Sequence, residues 1–196
     1  MKSLKVRITF TEELLGTAPA DKEVYERWIV SNAPDAESLR EELESVPVDE
    51  VIDRSLTVFP RTENGKPCIY DYQVRGFFKE AAGFLKKAEV GKTAKLKAHK
   101  KMVDGLVFVK PRKIELKGTM NATCQRPLRA STAQGERIAL ANSEAMAPGT
   151  TAEFEIVCLN DDDMEYVREW LSYGEWHGIG QWRNSGKGAF VWEEIK

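Results

Sequence analysis

The end of the chain carries a glycine-rich segment whose residues could bind a phosphate backbone. The segment reads HGIGQWRNSGKG and places four glycines within the eleven residues 178–188. Glycine lets backbone N–H groups approach a phosphate closely and reaches positive φ without penalty. Arg183 and Lys187 add positive charge, and Trp176 and Trp182 offer surfaces for stacking. The segment therefore favours a binding loop, with a purely structural helix-to-strand connection as the alternative.

Two phosphate-binding motifs do not fit this segment. A dinucleotide fingerprint needs its third glycine where Arg183 stands, and it needs a strand where a helix is predicted. A P-loop needs a glycine where Gln181 stands and a serine or threonine where Gly188 stands. Neither a dinucleotide site nor a P-loop nucleotide site is predicted, and we expect no cofactor and no metal.

Positive charge is concentrated in the middle of the chain. The net charge is −2, yet residues 75–137 hold 16 Lys and Arg against 5 Asp and Glu. This distribution predicts a basic face that binds RNA or another single-stranded nucleic acid, with a merely solvated lysine-rich hairpin as the alternative. The candidate residues on this face are Lys95, Lys97, Lys100, Lys101, Lys110, Arg112 and Lys113.

Residues 119–150 have little periodicity and predict a long loop or an extended β-arm. Arg126, Arg129 and Arg137 alternate there with small residues. This pattern suits a finger laid along a phosphate backbone, which would make binding salt-dependent. A disordered surface loop is the alternative.

Two histidines raise the question of catalysis. A metal-independent endoribonuclease needs a base for the 2′-hydroxyl and an acid for the leaving oxygen. His177 adjoins the glycine-rich segment, and His99 is flanked by lysines that would lower its pKa. A lone histidine near a basic loop is more often a contact residue, so the sequence favours a binding protein over an enzyme.

Apolar patterning predicts the elements that must position these residues. Alternation predicts strands at residues 4–10, 151–159 and 189–195, and helical spacing predicts helices at 71–88 and 161–174. Between them, residues 94–118 read as strands joined by a tight hairpin at Asp104–Gly105. The order βαββαβ predicts an α+β, ferredoxin-like antiparallel sheet with two helices on one face and the other face open for a partner.

Length and composition bound the remaining organisation. The 196 residues suit a single domain, residues 1–196, with an acidic helical insertion at 20–55. The absence of a long apolar run or a signal-peptide start argues against a membrane partner. Three widely spaced cysteines argue against a disulfide framework and favour the cytoplasm.

Three stretches of the chain resemble the RAMP superfamily, the ferredoxin-like RNA-binding proteins of CRISPR effector complexes. They are residues 8–19 (ITFTEELLGTAP), 65–85 (GKPCIYDYQVRGFFKEAAGFL) and 147–193, which run from APGT through the glycine-rich segment. The resemblance implies RNA binding, a glycine-rich loop packed near the first helix, and partners among CRISPR effector subunits or copies of the chain itself. The residues it implies are Gly178, Gly180, Arg183, Gly186, Lys187 and Gly188, and more weakly Arg75 and Lys79.

Two other functions stay open at this point. A phage-encoded member could act as an anti-CRISPR or another defence-interacting protein, with its acidic segment facing a partner's basic channel. An endoribonuclease using His177 and His99 is the other.

Overall fold

We describe the chain from a computed structural model, which covers residues 1–20, 56–132 and 135–196. Of residues 122, 127–132 and 135–140 only the backbone is described. The helical insertion predicted at residues 20–55 therefore lies outside the described residues from residue 21 onward. No described helix is long and apolar enough to cross a membrane.

The described strands and helices follow one another in a mixed order. The strands are β1 (Lys2–Phe10), β2 (Leu14–Leu15), β3 (Ala18–Pro19), β4 (Leu56–Val58), β5 (Cys68–Tyr70), β6 (Val107–Lys110), β7 (Lys113–Lys117), β8 (Met120–Thr132), β9 (Gly135–Met146), β10 (Thr151–Cys158) and β11 (Phe190–Glu194). The helices are α1 (Asp71–Lys87), α2 (His99–Leu106) and α3 (Met164–Tyr173), with 3₁₀ turns at Lys92–Lys95, Asp161–Asp163 and Arg183–Ser185.

An antiparallel sheet forms the platform of the described chain. Its strands lie in the order β11–β1–β10–β7–β5, and β6 also pairs with β10. Leu4, Val6, Ile8 and Phe10 alternate along β1 and are buried, because alternate side chains of a strand share one face. Helices α1 and α3 cover that face and contribute to the same hydrophobic core. The predicted α+β, ferredoxin-like fold is confirmed.

Strands β6 and β7 follow one another against the same partner. Lys110 pairs with Glu155 of β10, and Leu116 pairs with Ala152 further along that strand. The two strands thus act as the second strand of the βαββαβ order, interrupted at Pro111. The platform therefore keeps the ferredoxin-like arrangement even though this strand is split.

The hairpin predicted at Asp104–Gly105 is wrong, because both residues lie within helix α2. Met102 and Val103 of α2 are buried in the core shared with α1. Burial of these side chains outweighs the local turn preference of an Asp-Gly pair. In consequence the lysines at 95–101 lie on a 3₁₀ turn, a short connection and a helix instead of on hairpin arms.

Glu169 of α3 holds the connection from α1 to α2, and Glu165 of the same helix pairs with Lys92. Glu169 accepts hydrogen bonds from the backbone N–H groups of Lys92 at 2.7 Å and Thr93 at 2.9 Å. It also accepts from the Thr93 hydroxyl at 2.6 Å, and that hydroxyl accepts from the Trp170 indole at 3.2 Å. These bonds fix the start of the lysine-rich segment against the core.

A second sheet carries a long β-hairpin. Strands β8 and β9, which lie in the region predicted as loop or β-arm, pair from Met120–Met146 to the tip, with an irregularity between Asn121 and Cys124. Strand β9 pairs antiparallel with β2 and parallel with β4. The open end of the hairpin is therefore braced by two short strands, one before residue 21 and one after residue 55.

The face of the platform that no described helix covers, which we call the uncovered face, is balanced in charge. Arg7 of β1 lies 2.8 Å from Glu153 and 2.9 Å from Glu193, and Lys117 lies 3.1 Å from Glu153. The hydrogen bond from Arg7 is the largest cause that lowers the pKa of Glu153. The basic face expected on this side is therefore wrong, since acidic residues of β10 and β11 alternate with the basic ones.

Candidate nucleic-acid interface

The glycine-rich segment connects α3 to β11 and is closed by its own backbone. Ile179 N–H donates to the Gly188 carbonyl over 3.0 Å, and Gly188 N–H donates to the Glu13 carbonyl over 2.8 Å. A Cβ atom on Gly178 would lie 1.8 Å from the Gly188 carbonyl oxygen. Glycine is thus required at Gly178 by the close approach of two backbone segments. We call residues 177–188 the glycine loop.

Gln181 ties the glycine loop to the strands beside it. Its Nε2 donates to the Gly16 carbonyl over 2.8 Å and to Thr57 Oγ1 over 3.3 Å. Its Oε1 accepts from Arg126 of β8. One side chain thereby joins the loop, the second sheet and the base of the hairpin. No sequence pattern marked Gln181, because this role depends on three segments that are distant in the chain.

Arg126 is a nearly buried cation at this junction. It is 6% exposed, and its guanidinium carbon lies 5.7 Å from the centre of the Trp182 ring. Its Nη1 lies 3.4 Å from Ser143 Oγ, so its hydrogen-bond partners, Ser143 and Gln181, are neutral. Within the described residues no carboxylate lies within ion-pair distance of Arg126. A buried charge without a counter-charge is costly, so an anion bound beside it would be stabilised.

Arg183, by contrast, already has an acidic partner on α1. Its Nη1 pairs with one oxygen of Glu80. The other Glu80 oxygen lies 3.2 Å from His177 Nε2, although the geometry is not that of a hydrogen bond. Glu80 therefore holds the glycine loop against the first helix.

Lys187 is neutralised in the same way by Glu13, which follows β1. Its Nζ lies 2.8 Å from Glu13 Oε2, and Asn121 donates to the other oxygen over 3.1 Å. The hydrogen bond from Lys187, followed by that from Asn121, holds the pKa of Glu13 below its usual value. The same bond raises the pKa of Lys187. Two of the loop's cations thus sit beside carboxylates that no sequence pattern connected to them.

A depression of about 280 Å³ lies between the glycine loop and the first half of α1. Gln73 on its α1 side donates to Thr17 Oγ1 over 2.8 Å. We call the glycine loop, the first half of α1 and the Arg126–Trp182 pair together the cradle. The depression is lined by Thr17, Gln73, Gly76, Phe77, Glu80, Ile179, Gly180 and Arg183.

The two weaker candidates on α1 are paired elsewhere. Arg75 Nη2 lies 3.4 Å from Asp71 Oδ2 of its own helix. Lys79 Nζ lies 2.5 Å from Asp104 Oδ1 of α2. Neither side chain contacts the glycine loop in these pairs, so the structure does not bring Arg75 and Lys79 together with Arg183 and Lys187.

The predicted basic residues are divided between two layers of the molecule. Lys95, Lys97, Lys100 and Lys101 are exposed on the helical layer and make no ion pair with any described residue. Lys110 alternates with buried Val109 on β6 and so belongs to the uncovered face of the sheet. Arg112 lies between β6 and β7, with its guanidinium carbon 5.5 Å from the Tyr70 ring centre. The prediction that these residues and the glycine loop form a single basic face is therefore wrong.

The remaining candidates lie on the hairpin and near α1. Arg129 pairs in register with Ile138, and Arg137 with Ala130, so both lie toward the hairpin tip. Lys113 opens β7. Of the two histidines, His177 lies beside Glu80 of α1. The other, His99, opens α2, and its pKa is lowered by burial and then by the charges of Lys86 and Lys100.

Comparison with known proteins finds the fold but no family. No protein-family model matches the chain, and no curated protein matches it. Among solved structures, a chain of the Type III-B Cmr-beta complex bound to cognate target RNA is similar, with a TM-score of 0.51 and 12% identity. A chain of a Type IV-B CRISPR complex is similar with the same TM-score and 10% identity.

The likeness is one of fold. The match covers all of this chain but 60% of the Cmr-beta chain, and 99% of this chain and 90% of the Type IV-B chain. The α+β, ferredoxin-like fold predicted from the sequence is thus the fold that this protein shares with these two chains. In this fold the glycine loop lies beside α1, where Arg183 contacts Glu80.

Proposed function

We propose that this protein binds single-stranded nucleic acid, and RNA in particular, in the cradle. The observation that carries the proposal is Arg126, a cation that is almost fully buried, lies against Trp182 and has only neutral partners among the described residues. A guanidinium presents planar donors that suit a phosphate. An exposed indole beside it suits an unpaired base.

Support for RNA comes from a protein that shares the fold. The Cmr-beta chain belongs to a complex bound to cognate target RNA. Unpaired bases are the usual target of sequence-reading RNA-binding proteins because double-stranded RNA hides its base edges. We therefore expect single strands to bind more tightly than duplexes of the same length.

The exposed lysines of the helical layer supply a second part of the proposal. Lys95, Lys97, Lys100 and Lys101 stand free of described acidic partners and can contact phosphates without reading sequence. The slope of log K against log salt is negative for such binding. Replacing all four lysines by glutamine is expected to make this slope shallower by about 0.7 for each phosphate that they neutralise. An unchanged slope would show that these lysines do not contact the phosphates, and the cradle alone would then remain as the proposed binding site.

The test of the cradle is a fluorescence-anisotropy titration of labelled single-stranded RNA, single-stranded DNA and duplex, at several salt concentrations. Arg126→Gln is expected to weaken single-strand binding roughly 10- to 150-fold, the value of a hydrogen bond to a charged group. Arg126→Lys keeps the charge, so its affinity for single strands should lie between the affinities of Arg126→Gln and the wild type.

The matched control is Arg7→Gln, which removes the same charge from the uncovered face, where Arg7 contacts Glu153 and Glu193. It should bind as the wild type does. Circular dichroism and thermal unfolding confirm that each variant is folded. Absence of wild-type binding at low salt, or equal binding by folded Arg126→Gln, would refute the proposal.

A further inference from the structure

Trp176 is a large aromatic residue left in solvent. It is 77% exposed, although most aromatic side chains of the described helices are packed into the core. It stands in the turn after α3, where its backbone N–H donates to the Tyr173 carbonyl over 3.0 Å. The side chain therefore contributes little to the core and leaves its aromatic surface in solvent.

A groove of about 410 Å³ lies beside this indole, between the end of α1 and α3. Leu85, Val90 and Gly91 form one side of it, and Tyr173 and Trp176 form the other. Val90 is 53% exposed, so apolar surface continues across the groove from Trp176. The groove is open to solvent and largely apolar.

A chain of aromatic contacts connects this groove to the cradle. Phe84 of α1 stacks on Tyr173 with ring centres 6.2 Å apart, and the His177 ring meets Phe84 edge-on at 5.5 Å. His177 in turn lies 3.2 Å from Glu80, the carboxylate that holds Arg183. Gly76, which lines the depression, and Leu85, which lines the groove, lie roughly 14 Å apart along α1 at the usual rise per helical residue.

Charge near the groove favours a nucleic-acid occupant. Lys86 and Lys87, in the last turn of α1, are exposed and make no ion pair with a described residue. The two charged residues that line the groove have partners elsewhere, since Arg168 lies 2.8 Å from Glu194 and Glu169 accepts hydrogen bonds from Lys92 and Thr93. Aromatic surface beside cations is the composition of single-strand binding sites, where bases stack and the charges meet the backbone.

We propose that Trp176 is a stacking platform for one base of a strand whose backbone lies in the cradle. This inference rests on the proposed function and extends the bound length along α1 to the far end of α3. The base lies on the indole in the groove, and its identity is read weakly, because every base offers a stacking face.

The test compares Trp176→Ala with the wild type on two single-stranded RNAs of equal length. One is an ordinary oligonucleotide, and the other carries abasic sites throughout, so that the phosphates are the same. Trp176→Ala is expected to weaken binding of the ordinary RNA roughly five- to 150-fold and to leave the abasic RNA unchanged. Trp176→Phe keeps an aromatic ring and should recover most of the affinity.

The matched control is Phe108→Ala, which removes an aromatic side chain that is 38% exposed on the uncovered face. It should bind both RNAs as the wild type does. Suppose that the wild type binds the ordinary RNA. The stacking role of Trp176 is then refuted if Trp176→Ala binds this RNA as tightly as the wild type does, or if the substitution weakens binding of the abasic RNA as much as binding of the ordinary RNA. Either result leaves the proposal for the cradle intact. If the wild type binds neither RNA, the proposed function fails as well.

Discussion

Removal of Glu80 or Glu13 is expected to tighten nucleic-acid binding. Glu80 pairs with Arg183, and Glu13 lies 2.8 Å from Lys187. Each carboxylate is therefore already paired with a cation that a bound phosphate would have to contact. Carboxylate and phosphate accept hydrogen bonds from the same cations, and a bound strand must therefore compete with these residues. Glu80→Gln and Glu13→Gln keep the size of the side chain and remove its charge.

The size of the effect follows from counterion release. One further phosphate neutralised by the protein steepens the slope of log K against log salt by about 0.7 for a single strand. At a salt concentration near 0.1 M this is roughly a five-fold gain in affinity for each variant and about 25-fold for the double variant. The pairs are partly exposed, so the free energy of unfolding should fall by about 1 kcal/mol at most.

Anisotropy titrations with single-stranded RNA over a series of salt concentrations measure both affinity and slope. Glu115→Gln is the matched control, because it removes a carboxylate that pairs with Lys66 over 2.7 Å on the uncovered face. This control changes the net charge equally and should leave the slope unchanged. If Glu80→Gln and Glu13→Gln bind more weakly than a wild type that binds, or show its slope, the carboxylates serve the loop's structure and the reasoning is wrong.

Two further predictions concern stability. Burial raises the pKa of Glu169, but the bonds from Thr93 and Lys92 outweigh it and the pKa is lowered. The ionised Glu169 carboxylate therefore stabilises the fold fully at a pH above its pKa in the unfolded chain, near 4.3. This stabilisation is lost as the pH falls through the lower pKa of the folded protein. Glu169→Gln should lower the free energy of unfolding by about 1–3 kcal/mol at neutral pH, and urea unfolding of variant and wild type should converge in acid. Gly178→Ala should unfold at a markedly lower temperature because its Cβ meets the Gly188 carbonyl. Gly186→Ala meets open space and should cost only about 1 kcal/mol for its positive φ, so equal melting of the two variants would contradict this account.

The elements with regular apolar spacing were predictable from the sequence. The alternation in β1 and β10 and the helical spacing in α1 and α3 are local properties that any buried face requires. Their order was enough to predict a ferredoxin-like sheet. Helix α2 was not predictable in this way, because Asp104–Gly105 is a strong local turn signal and the burial of Met102 and Val103 that overrides it depends on α1.

The sequence also marked the glycine loop, since four glycines in so short a stretch imply close backbone contacts wherever the segment folds. It could not say which cations remain available to a ligand. That depends on pairs formed across the chain, such as Arg183 with Glu80 and Lys187 with Glu13.

Composition and periodicity by themselves thus determined the layers of this protein and the presence of a glycine-rich, charged loop near its end, because these are properties of neighbouring residues. Only the tertiary structure decided where the charge is compensated. It divided the lysines between the helical layer and the sheet, balanced the uncovered face with Glu153 and Glu193, and left Arg126 nearly buried among neutral partners. Electrostatic interactions fall with distance in space and not along the chain, so a count of charges cannot replace the fold.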